Sequence, residues 1–230
     1  MQVIARMHND LKEKFGVPRQ SGLAPHLSGT VVFEPGYRNP EALRGLEGFS
    51  HIWLIWQFSK NKDVWSPTVR PPRLGGNKRI GVFACRSPFR PNPLGLSCVK
   101  ISGIDLRTPD GPVIHVLGAD LTDGTPIFDI KPYLPSADCI PEASSGFAGS
   151  LGDKALLVEF SPHAAGMLTE DQKLIVKELV QQDPRPRYQN DPSRLYGMKF
   201  AEFDIRFKII GNVAVICEII NYFHSKHVVK

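Results

Sequence analysis

The chain has 230 residues, 42% of them hydrophobic, and a formal net charge of +5 at pH 7. That length allows a buried core within one domain or one and a half. No stretch approaches the roughly 18 uninterrupted apolar residues that cross a bilayer, and the charged N-terminus lacks the apolar segment of a signal peptide. We therefore expect a cytoplasmic protein that does not enter a membrane.

The first 140 residues contain short apolar segments separated by turns. Richness in Val, Ile, Phe and Trp, with Gly or Pro at the borders, predicts six strands. These are residues 29–33, 51–58, 80–84, 96–104, 113–118 and 127–131. A helix is expected within 40–47, because Asn39 can cap it and Pro40 suits its first position. Strands at this spacing with few helices predict a mainly β fold, a barrel or sandwich rather than a doubly wound sheet.

The pattern changes after residues 141–153, which are small and polar and predict a linker or a mobile loop. Thr169 and Gln172 form a capping box for a helix that should end near Asp183. An apolar stripe on this helix indicates that one of its faces is buried.

A β-hairpin is predicted near the C-terminus. Residues 203–209 alternate apolar and charged side chains, Gly211–Asn212 follows, and apolar Val213, Val215, Cys217 and Ile219 then alternate again. A two-residue Gly-Asn loop between half-buried strands is typical of a hairpin. We therefore divide the chain into a β domain, residues 1–150, and a small α+β domain, residues 151–230.

Positive charge is concentrated between residues 60 and 100. This window has nine basic residues and one acidic residue, Asp63, for a net +8, whereas the remainder carries −3. Such a basic block predicts a polyanion-binding face, and an ordinary solvated surface is the alternative. Proline and glycine in 70–76 and 86–95 would present the arginines there from stiff loops.

Familiar nucleotide-binding and catalytic motifs are missing from the sequence. It has no GxGxxG after a strand, no P-loop, no HExxH and no GxSxG. The seven histidines are scattered, and the four cysteines have no CxxC spacing. We expect reduced thiols and no catalytic metal. His51, beside Trp53 and Trp56, is expected to be a strand residue rather than a metal ligand.

Several motifs in order resemble the TrmO family of tRNA methyltransferases, over nearly the whole chain. They are KEKFGVPRQ (12–20), LRGLEGFSHIWLI (43–55), WSPTVRPPRLGGNKRIGVFACRSPFRPNPLGLS (65–97), DLTDGTPIFDIKPYLPSAD (120–138) and DPRPRY (183–188). The resemblance implies an antiparallel, non-Rossmann β-barrel that binds S-adenosylmethionine (SAM) and works as a homodimer with SAM near the subunit interface. It also implies a substrate: N6 of threonylcarbamoyladenosine at position 37, next to the anticodon of Thr-type tRNAs.

The resemblance also implies the residues that contact SAM. Carried over by motif, they are Arg19, Gln20, Ser59, Lys60, Arg86, Leu96, Leu121, Thr122, Asp123 and Gly124. This chain has Ser59–Lys60 where familiar bacterial members have His-Gln, so the contacts that could persist there are those of the backbone. Without the resemblance, Asp123–Gly124 would be interpreted as a plain β-turn.

The chemistry of methylating a carbamoylated nitrogen suggests further roles. A donor to the carbamoyl oxygen would ease deprotonation of the nitrogen, and Arg86 or Lys131 is the candidate. Asp120 or Asp129 is the candidate base. Phosphates of the tRNA anticodon stem-loop would be contacted by basic residues of the 60–100 window, which position RNA without identifying it. These candidates are Arg70, Arg73, Lys78, Arg79 and Arg90.

Three other functions remain open at this stage. A non-catalytic β-barrel that binds SAM or RNA would share the basic block and the stiff loops. A SAM-dependent methyltransferase of a small molecule is less compatible with the uneven charge, and a metal hydrolase lacks a visible ligand cluster. Transfer of labelled methyl groups to tRNA separates the enzyme from the binding protein.

Overall fold

The computed structural model describes residues 1–61, 64–71, 74, 78–149, 155–185, 189 and 191–222. Its strands are β1 (Ala5–Asn9), β2 (Ser28–Phe33), β3 (His51–Gln57), β4 (Thr68–Val69), β5 (Ile80–Gly81), β6 (Leu94–Thr108), β7 (Gly111–Leu117), β8 (Pro126–Pro132), β9 (Leu157–Phe160), β10 (Tyr196–Phe200), β11 (Phe203–Ile210) and β12 (Val213–Asn221). Its α-helices are α1 (Pro135–Asp138), α2 (Pro162–Ala165) and α3 (Glu170–Val180).

Six strands form a closed antiparallel barrel in the order β1-β2-β7-β6-β3-β8. The predicted β-barrel is thus confirmed, and five of the six predicted strands are present with shifted ends. The segment 80–84 is different: only Ile80–Gly81 is a strand, and a 3₁₀ turn follows over Val82–Ala84. Strand β1 was not predicted, yet it closes the barrel by pairing with both β2 and β8.

Alternation along β3 explains how the barrel is filled. Ile52, Leu54 and Trp56 are buried, and His51, Trp53 and Ile55 lie on the outer face, as a period of two requires. His51 is therefore a strand residue, half-buried beside Tyr133. Inward side chains from the other strands complete one hydrophobic cluster inside the barrel.

The predicted caps are found, but one helix is shorter than expected. The Asn39 side chain accepts a hydrogen bond from the Glu41 N–H, and Pro40 begins a 3₁₀ helix that ends at Leu43. Gly45, with φ +85°, prevents continuation, and a separate 3₁₀ turn begins at Leu46. In α3 the Thr169–Gln172 capping box is present in both directions, which confirms that prediction.

The C-terminal residues form a four-stranded sheet in the order β10-β11-β12-β9, with β9 parallel to β12. The predicted hairpin at Gly211–Asn212 is confirmed. The predicted buried face of β12 is wrong near the turn, because Ala214 and Ile216 point into the core instead of Val213 and Val215. An irregularity opposite Arg206/Phe207 changes the register, so that Ile219 is again buried.

A second hydrophobic cluster lies between this sheet and its helices, and it includes residues from the β1–β2 connection. Leu11, Ala24 and Leu27 are buried there beside Val176 and Phe207. The long first connection of the barrel is therefore held on the C-terminal part of the chain. All four cysteines are free thiols, and Cys139 alone among them is exposed. No described helix is long and apolar enough to span a membrane.

Candidate active site

Three long connections meet at one end of the barrel, because antiparallel neighbours place alternate loops at the same end. They are the β1–β2, β3–β6 and β7–β8 connections. Between them lies a cleft of about 580 Å³ that is lined by residues from all three and by the adjoining ends of β3 and β6. This volume lies within the range of about 300–1,000 Å³ that is common for small-molecule sites.

Asp120 stands in the cleft at the end of a buried hydrogen-bond chain. Trp56 Nε1 donates to Ser97 Oγ at 2.8 Å, and Ser97 Oγ donates to Asp120 Oδ1 at 2.5 Å. An indole N–H only donates, so the single hydroxyl hydrogen of Ser97 must point to the carboxylate. The Ser21 N–H also bonds to Asp120. These contacts engage Oδ1 and fix the orientation of the carboxylate.

Burial raises the pKa of the Asp120 carboxyl above its ordinary value. The hydrogen bonds from Ser97 and from backbone N–H groups, together with the positive charge of Arg86, oppose this rise only in part. A carboxylate with a raised pKa inside a cleft is a better proton acceptor than one on the surface, which makes Asp120 a candidate general base.

Arg86 contributes a guanidinium group to the same cleft. Its Nη1 donates to the Gln20 side-chain oxygen, and Gln20 in turn donates to the Arg19 carbonyl. Arg19 itself donates to the Asp183 carbonyl. The predicted residues Arg19, Gln20 and Arg86 are thus brought together, and they line the cleft with Asp120.

The loop that carries Arg19 and Gln20 is held by the C-terminal part of the chain. Glu178 on α3 accepts hydrogen bonds from the His26 N–H, at 3.1 Å, and interacts with the His26 ring. Gln182 Nε2 donates to the Leu23 carbonyl at 3.3 Å. Residues 19–26 are therefore fixed at several points against the end of α3.

Ser59, Lys60, Leu96 and Thr122 also line the cleft. Lys60 Nζ donates to the Lys12 carbonyl at 2.7 Å, so its ammonium group bridges two of the connections. Leu96 is 55% exposed and stands at the edge of the cleft. Gly95 beside it leaves room for the indole of Trp56, since a Cβ at this position would lie 2.2 Å from Trp56 Cε2.

Three of the predicted SAM contacts do not line this cleft. Leu121 is buried in the barrel cluster. Asp123 and Gly124 form a turn whose N–H groups donate to the carbonyls of Leu11 and Met7, both at 2.8 Å. These two N–H groups are already engaged, and the φ of +77° at Gly124 explains why glycine is needed there.

The carboxylate of Asp123 belongs to a separate surface network. It forms an ion pair of 3.0 Å with Lys12, accepts a 3.1 Å hydrogen bond from the Asn9 N–H, and lies 3.6 Å from His8 Nδ1. Partial burial would raise the pKa of Asp123, but the hydrogen bonds from Lys12 and Asn9, with the Lys12 charge, outweigh it and lower the pKa. Asp123 is therefore an ionised structural residue.

The other two catalytic candidates, Asp129 and Lys131, lie on the outer face of β8. They pair with each other at 3.0 Å, and they stand opposite Ile55 and Trp53 of β3. Neither lines the cleft. Ile127 points inward, but a register shift in the β3–β8 pairing, between Ile55 and Trp56, follows it, so Asp129 and Lys131 face outward instead of continuing on the side of Ile127.

A wider cleft of about 1,630 Å³ adjoins the first and shares Arg19, Gln20 and Arg86 with it. Of the predicted phosphate contacts, Arg70 and Arg79 line this wider cleft, and Lys78 is exposed. Arg90 lines the smaller cleft, where its Nη1 donates to the Val82 and Cys85 carbonyls at 3.1 and 2.5 Å. Arg73 lies outside the described residues.

Two residues of the site, Ser97 and Trp56, were not found from the sequence. Ser97 is 1% exposed, and it is one of three buried polar residues among those described. A serine at an inward position of a predicted strand is the signal that could have identified it, since a buried hydroxyl needs a partner. No three described His, Cys, Asp or Glu side chains are grouped as metal ligands.

Comparison with known proteins agrees with this architecture. The model of the tRNA-methyltransferase O N-terminal domain matches residues 6–139, and that of the TrmO C-terminal domain matches residues 153–222. A tRNA (adenine(37)-N6)-methyltransferase of Escherichia coli K12 is 40% identical over 90% of this chain and 91% of its own length. One from Eikenella corrodens is 45% identical over 73% of this chain and 95% of its own.

Solved structures give the same result. The crystal structure of TrmO from Pseudomonas aeruginosa has a TM-score of 0.76 and 30% identity, over 96% of this chain and 99% of that chain. Matches of this extent cover both the barrel and the C-terminal sheet. The chain belongs to the tRNA-methyltransferase O family.

Proposed function

We propose that this protein is a SAM-dependent methyltransferase that methylates N6 of adenosine 37 in tRNA. The observation that carries the proposal is the single cleft in which Asp120 and the Arg86 guanidinium stand together, next to a strongly basic segment. Residues 64–100 contain no Asp or Glu at all. The names of the relatives from E. coli and E. corrodens support the same reaction.

The residues of the cleft fit the methyl donor. Arg19, Gln20 and Arg86 offer donors to a carboxylate, Leu96 offers an apolar surface, and the loop at Ser59–Lys60 offers backbone groups. When bound, SAM supplies an electrophilic methyl group on a sulfonium centre.

Asp120 is the proposed base because, unlike Asp129, it lines the cleft and is partly desolvated. It would accept the proton that N6 loses as the new N–C bond forms and the carbon–sulfur bond of the donor breaks. Arg86, whose charge already acts on Asp120, is the proposed donor to the carbamoyl oxygen of a threonylcarbamoylated adenosine. Holding base and donor together lowers the barrier through positioning and electrostatic stabilisation.

Methyl transfer itself is tested with labelled SAM and two tRNA substrates, one carrying threonylcarbamoyladenosine at position 37 and one carrying plain adenosine. We expect label in the nucleoside from position 37, as N6-methylated threonylcarbamoyladenosine, with Thr-type tRNAs the best substrates. A tRNA with guanosine at position 37 is the matched control. Binding of SAM or tRNA without transfer of label would support the non-catalytic alternative instead.

The basic surface is proposed as the contact for the anticodon stem-loop. Arg70, Lys78 and Arg79 are displayed beside the cleft, where neutralising phosphates would release counterions. We expect the logarithm of the tRNA affinity to fall linearly and steeply with the logarithm of the salt concentration. Arg79→Ala should reduce that slope, and an affinity that does not respond to salt would contradict an electrostatic interface.

We also propose that two copies associate, and that the enzyme acts in the cytoplasm, where its proposed substrate is found. The apolar Leu96 at the cleft edge and half-buried Trp53 and Ile55 on the adjacent outer face of the barrel support a contact between subunits. Light scattering should give twice the chain mass of 25.6 kDa. Leu96→Asp should lower that mass, whereas the exposed Leu106→Asp should not.

The division into residues 1–150 and 151–230 is retained as part of the proposal. Its support is the separation of the two hydrophobic clusters, one inside the barrel and one under the C-terminal sheet. Limited proteolysis should cut between these parts first. The fragments should stay associated until denaturant is added, because Leu11, Ala24 and Leu27 belong to the C-terminal cluster.

A further inference from the structure

Phe83 exposes its aromatic ring at the cleft. This residue is 76% exposed, more than any other aromatic residue in the described part of the chain, and it lines the same cleft as Asp120 and Arg86. Asp120, in contrast, is engaged by the Ser97 hydroxyl and by the Ser21 backbone and is partly desolvated. Phe83 therefore stands at the mouth of the cleft, and Asp120 stands deeper within it.

The Phe83 ring is held in place although it is exposed. It belongs to the 3₁₀ turn Val82–Ala84, which is anchored by Val82, 1% exposed. Arg90 braces this turn by donating to the carbonyls on either side, those of Val82 and Cys85. The Arg90 guanidinium also lies over the ring, 5.8 Å from its centroid. A ring that is fixed in this way loses little conformational entropy when a partner stacks on it.

The surroundings identify the kind of partner. Phe83 lies in the acid-free segment 64–100 and shares its cleft with Arg19, Arg86 and Arg90. Arg70 and Arg79 line the wider cleft that adjoins it. Exposed aromatic rings inside a positively charged groove are the usual means of binding single-stranded nucleic acid, since every base has a face that can stack. A symmetric contact between two copies at the Phe83 ring itself would bring Arg86 and Arg90 of both copies together, which disfavours a second copy as the occupant of this ring.

We propose that Phe83, braced by Arg90, is the stacking platform for an unpaired tRNA base that flanks the methylated adenosine. The inference rests on the proposed function, because it assumes that the adenosine enters the cleft between Phe83 and Asp120. The platform holds the neighbouring base outside while the target base reaches the carboxylate. Arg90 thus acts as a positioning residue for Phe83, and it is not one of the phosphate contacts.

The test compares Phe83→Ala, Phe83→Trp and the control Leu106→Ala, which removes an exposed apolar side chain on β6 that does not line the cleft. Affinity for bulk tRNA is measured at several salt concentrations, SAM affinity by calorimetry, and mass by light scattering. Phe83→Ala should weaken tRNA binding roughly 5- to 150-fold. The salt slope should be unchanged, because no charge is lost. Phe83→Trp should restore binding, and Leu106→Ala should have no effect.

Three results would overturn the inference. Unchanged tRNA affinity in Phe83→Ala would remove the stacking role. Weaker SAM binding with unchanged tRNA binding would assign the ring to the adenine of the donor. Loss of dimer mass would assign it to a subunit contact. Wild-type protein that binds tRNA but transfers no methyl group would refute the proposed function alone, since the stacking measurements do not depend on turnover.

Discussion

The segment that joins β7 to β8 contains two aspartates, Asp120 and Asp123, whose environments differ. Asp120 lies half-buried in the cleft, accepts a hydrogen bond from Ser97, and has a raised pKa. Asp123, three residues later, lies on the surface beside Lys12 and His8 and has a lowered pKa. One carboxylate is kept partly desolvated at a cost in stability, and the other is stabilised by charge.

This contrast shows that a reactive carboxylate and a structural carboxylate can lie within four residues of each other. The surface turn at Asp123–Gly124 fixes the segment through hydrogen bonds to Leu11 and Met7. With that turn fixed, Asp120 can be held in a less favourable place. Pairs of titratable groups whose pKa values are moved apart in this way are a common sign of a reactive site.

The largest expected effect comes from removing the base. Asp120→Asn should lower the single-turnover methylation rate by about 10²- to 10⁴-fold, the range for general base catalysis, with saturating SAM and tRNA. Asp123→Asn is the matched control and should stay within a few-fold of the wild-type rate. Equal losses of rate in the two variants would contradict this prediction, because the Asp123 carboxylate would then also belong to the active site.

A smaller effect is expected from the residue that orients Asp120. The hydrogen bond from Ser97 lowers the Asp120 pKa, so Ser97→Ala should raise it further. Less of the base is then ionised at a given pH, and the acid limb of the pH–rate profile should move to higher pH. At neutral pH the rate should fall roughly tenfold, about the value of one hydrogen bond to a charged group.

Ser102→Ala is the control for that measurement, because Ser102 is exposed on the same strand β6. It should leave the pH–rate profile in place. If Ser97→Ala lowers the rate equally at every pH, Ser97 supports packing only, and the orienting role is refuted.

The next effect tests the C-terminal support of the cleft loop. Glu178→Ala leaves the His26 N–H without its acceptor, so the loop with Arg19 and Gln20 is held less firmly. We expect a decrease in unfolding free energy of about 1–3 kcal/mol and a several-fold higher KM for SAM with little change in kcat. Glu170→Ala on the same helix is the control, since its side chain is 89% exposed. An unchanged KM would show that the loop is fixed without Glu178.

Much of the fold could be predicted because it follows local rules. The alternation of Ile52, Leu54 and Trp56 and the Gly211–Asn212 turn depend on nearby residues, and both are found as expected. The buried face of β12 could not be predicted, because the irregularity opposite Arg206 arises from pairing with another strand. Similarly, β1 becomes visible only when the barrel closes on β2 and β8.

The residues of the candidate site follow the same distinction between local patterns and contacts that arise only in the fold. Sequence motifs identified Arg19, Gln20, Arg86 and Asp120. The fold places all four in one cleft, because each lies in a connection at the same end of the barrel. Asp129 and Lys131 lie outside this cleft, because the register shift in β8 after Ile127 turns them outward. The role of Ser97 depends on contacts with Trp56 and Asp120, which lie 41 and 23 residues away along the chain, and no local pattern records them.

The smallest expected effects are changes in stability, and they should have opposite signs. The folded-state pKa of Asp123 is lowered, so its ionisation stabilises the fold above the ordinary Asp pKa and this stability is lost as the pH falls through the folded value. Asp123→Asn should therefore lower the Tm at pH 7 by about 1–3 °C, the value of one partly exposed ion pair.

Ionisation of Asp120 should have the opposite effect on stability. Its folded-state pKa is raised, so ionisation weakens the fold as the pH rises through the interval between the unfolded and the folded values. Asp120→Asn removes that cost and should raise the Tm at pH 7 by roughly 2 °C, in the manner of other active-site carboxylates that trade stability for activity. In melting curves recorded at intervals of half a pH unit, the Asp120 difference should disappear as the pH falls to the ordinary Asp pKa. The Asp123 difference should persist to that point and disappear only below it, as the pH falls through the lowered folded-state pKa. A Tm that falls in both variants would mean that Asp120 is a structural carboxylate like Asp123, and the two aspartates would then have the same role.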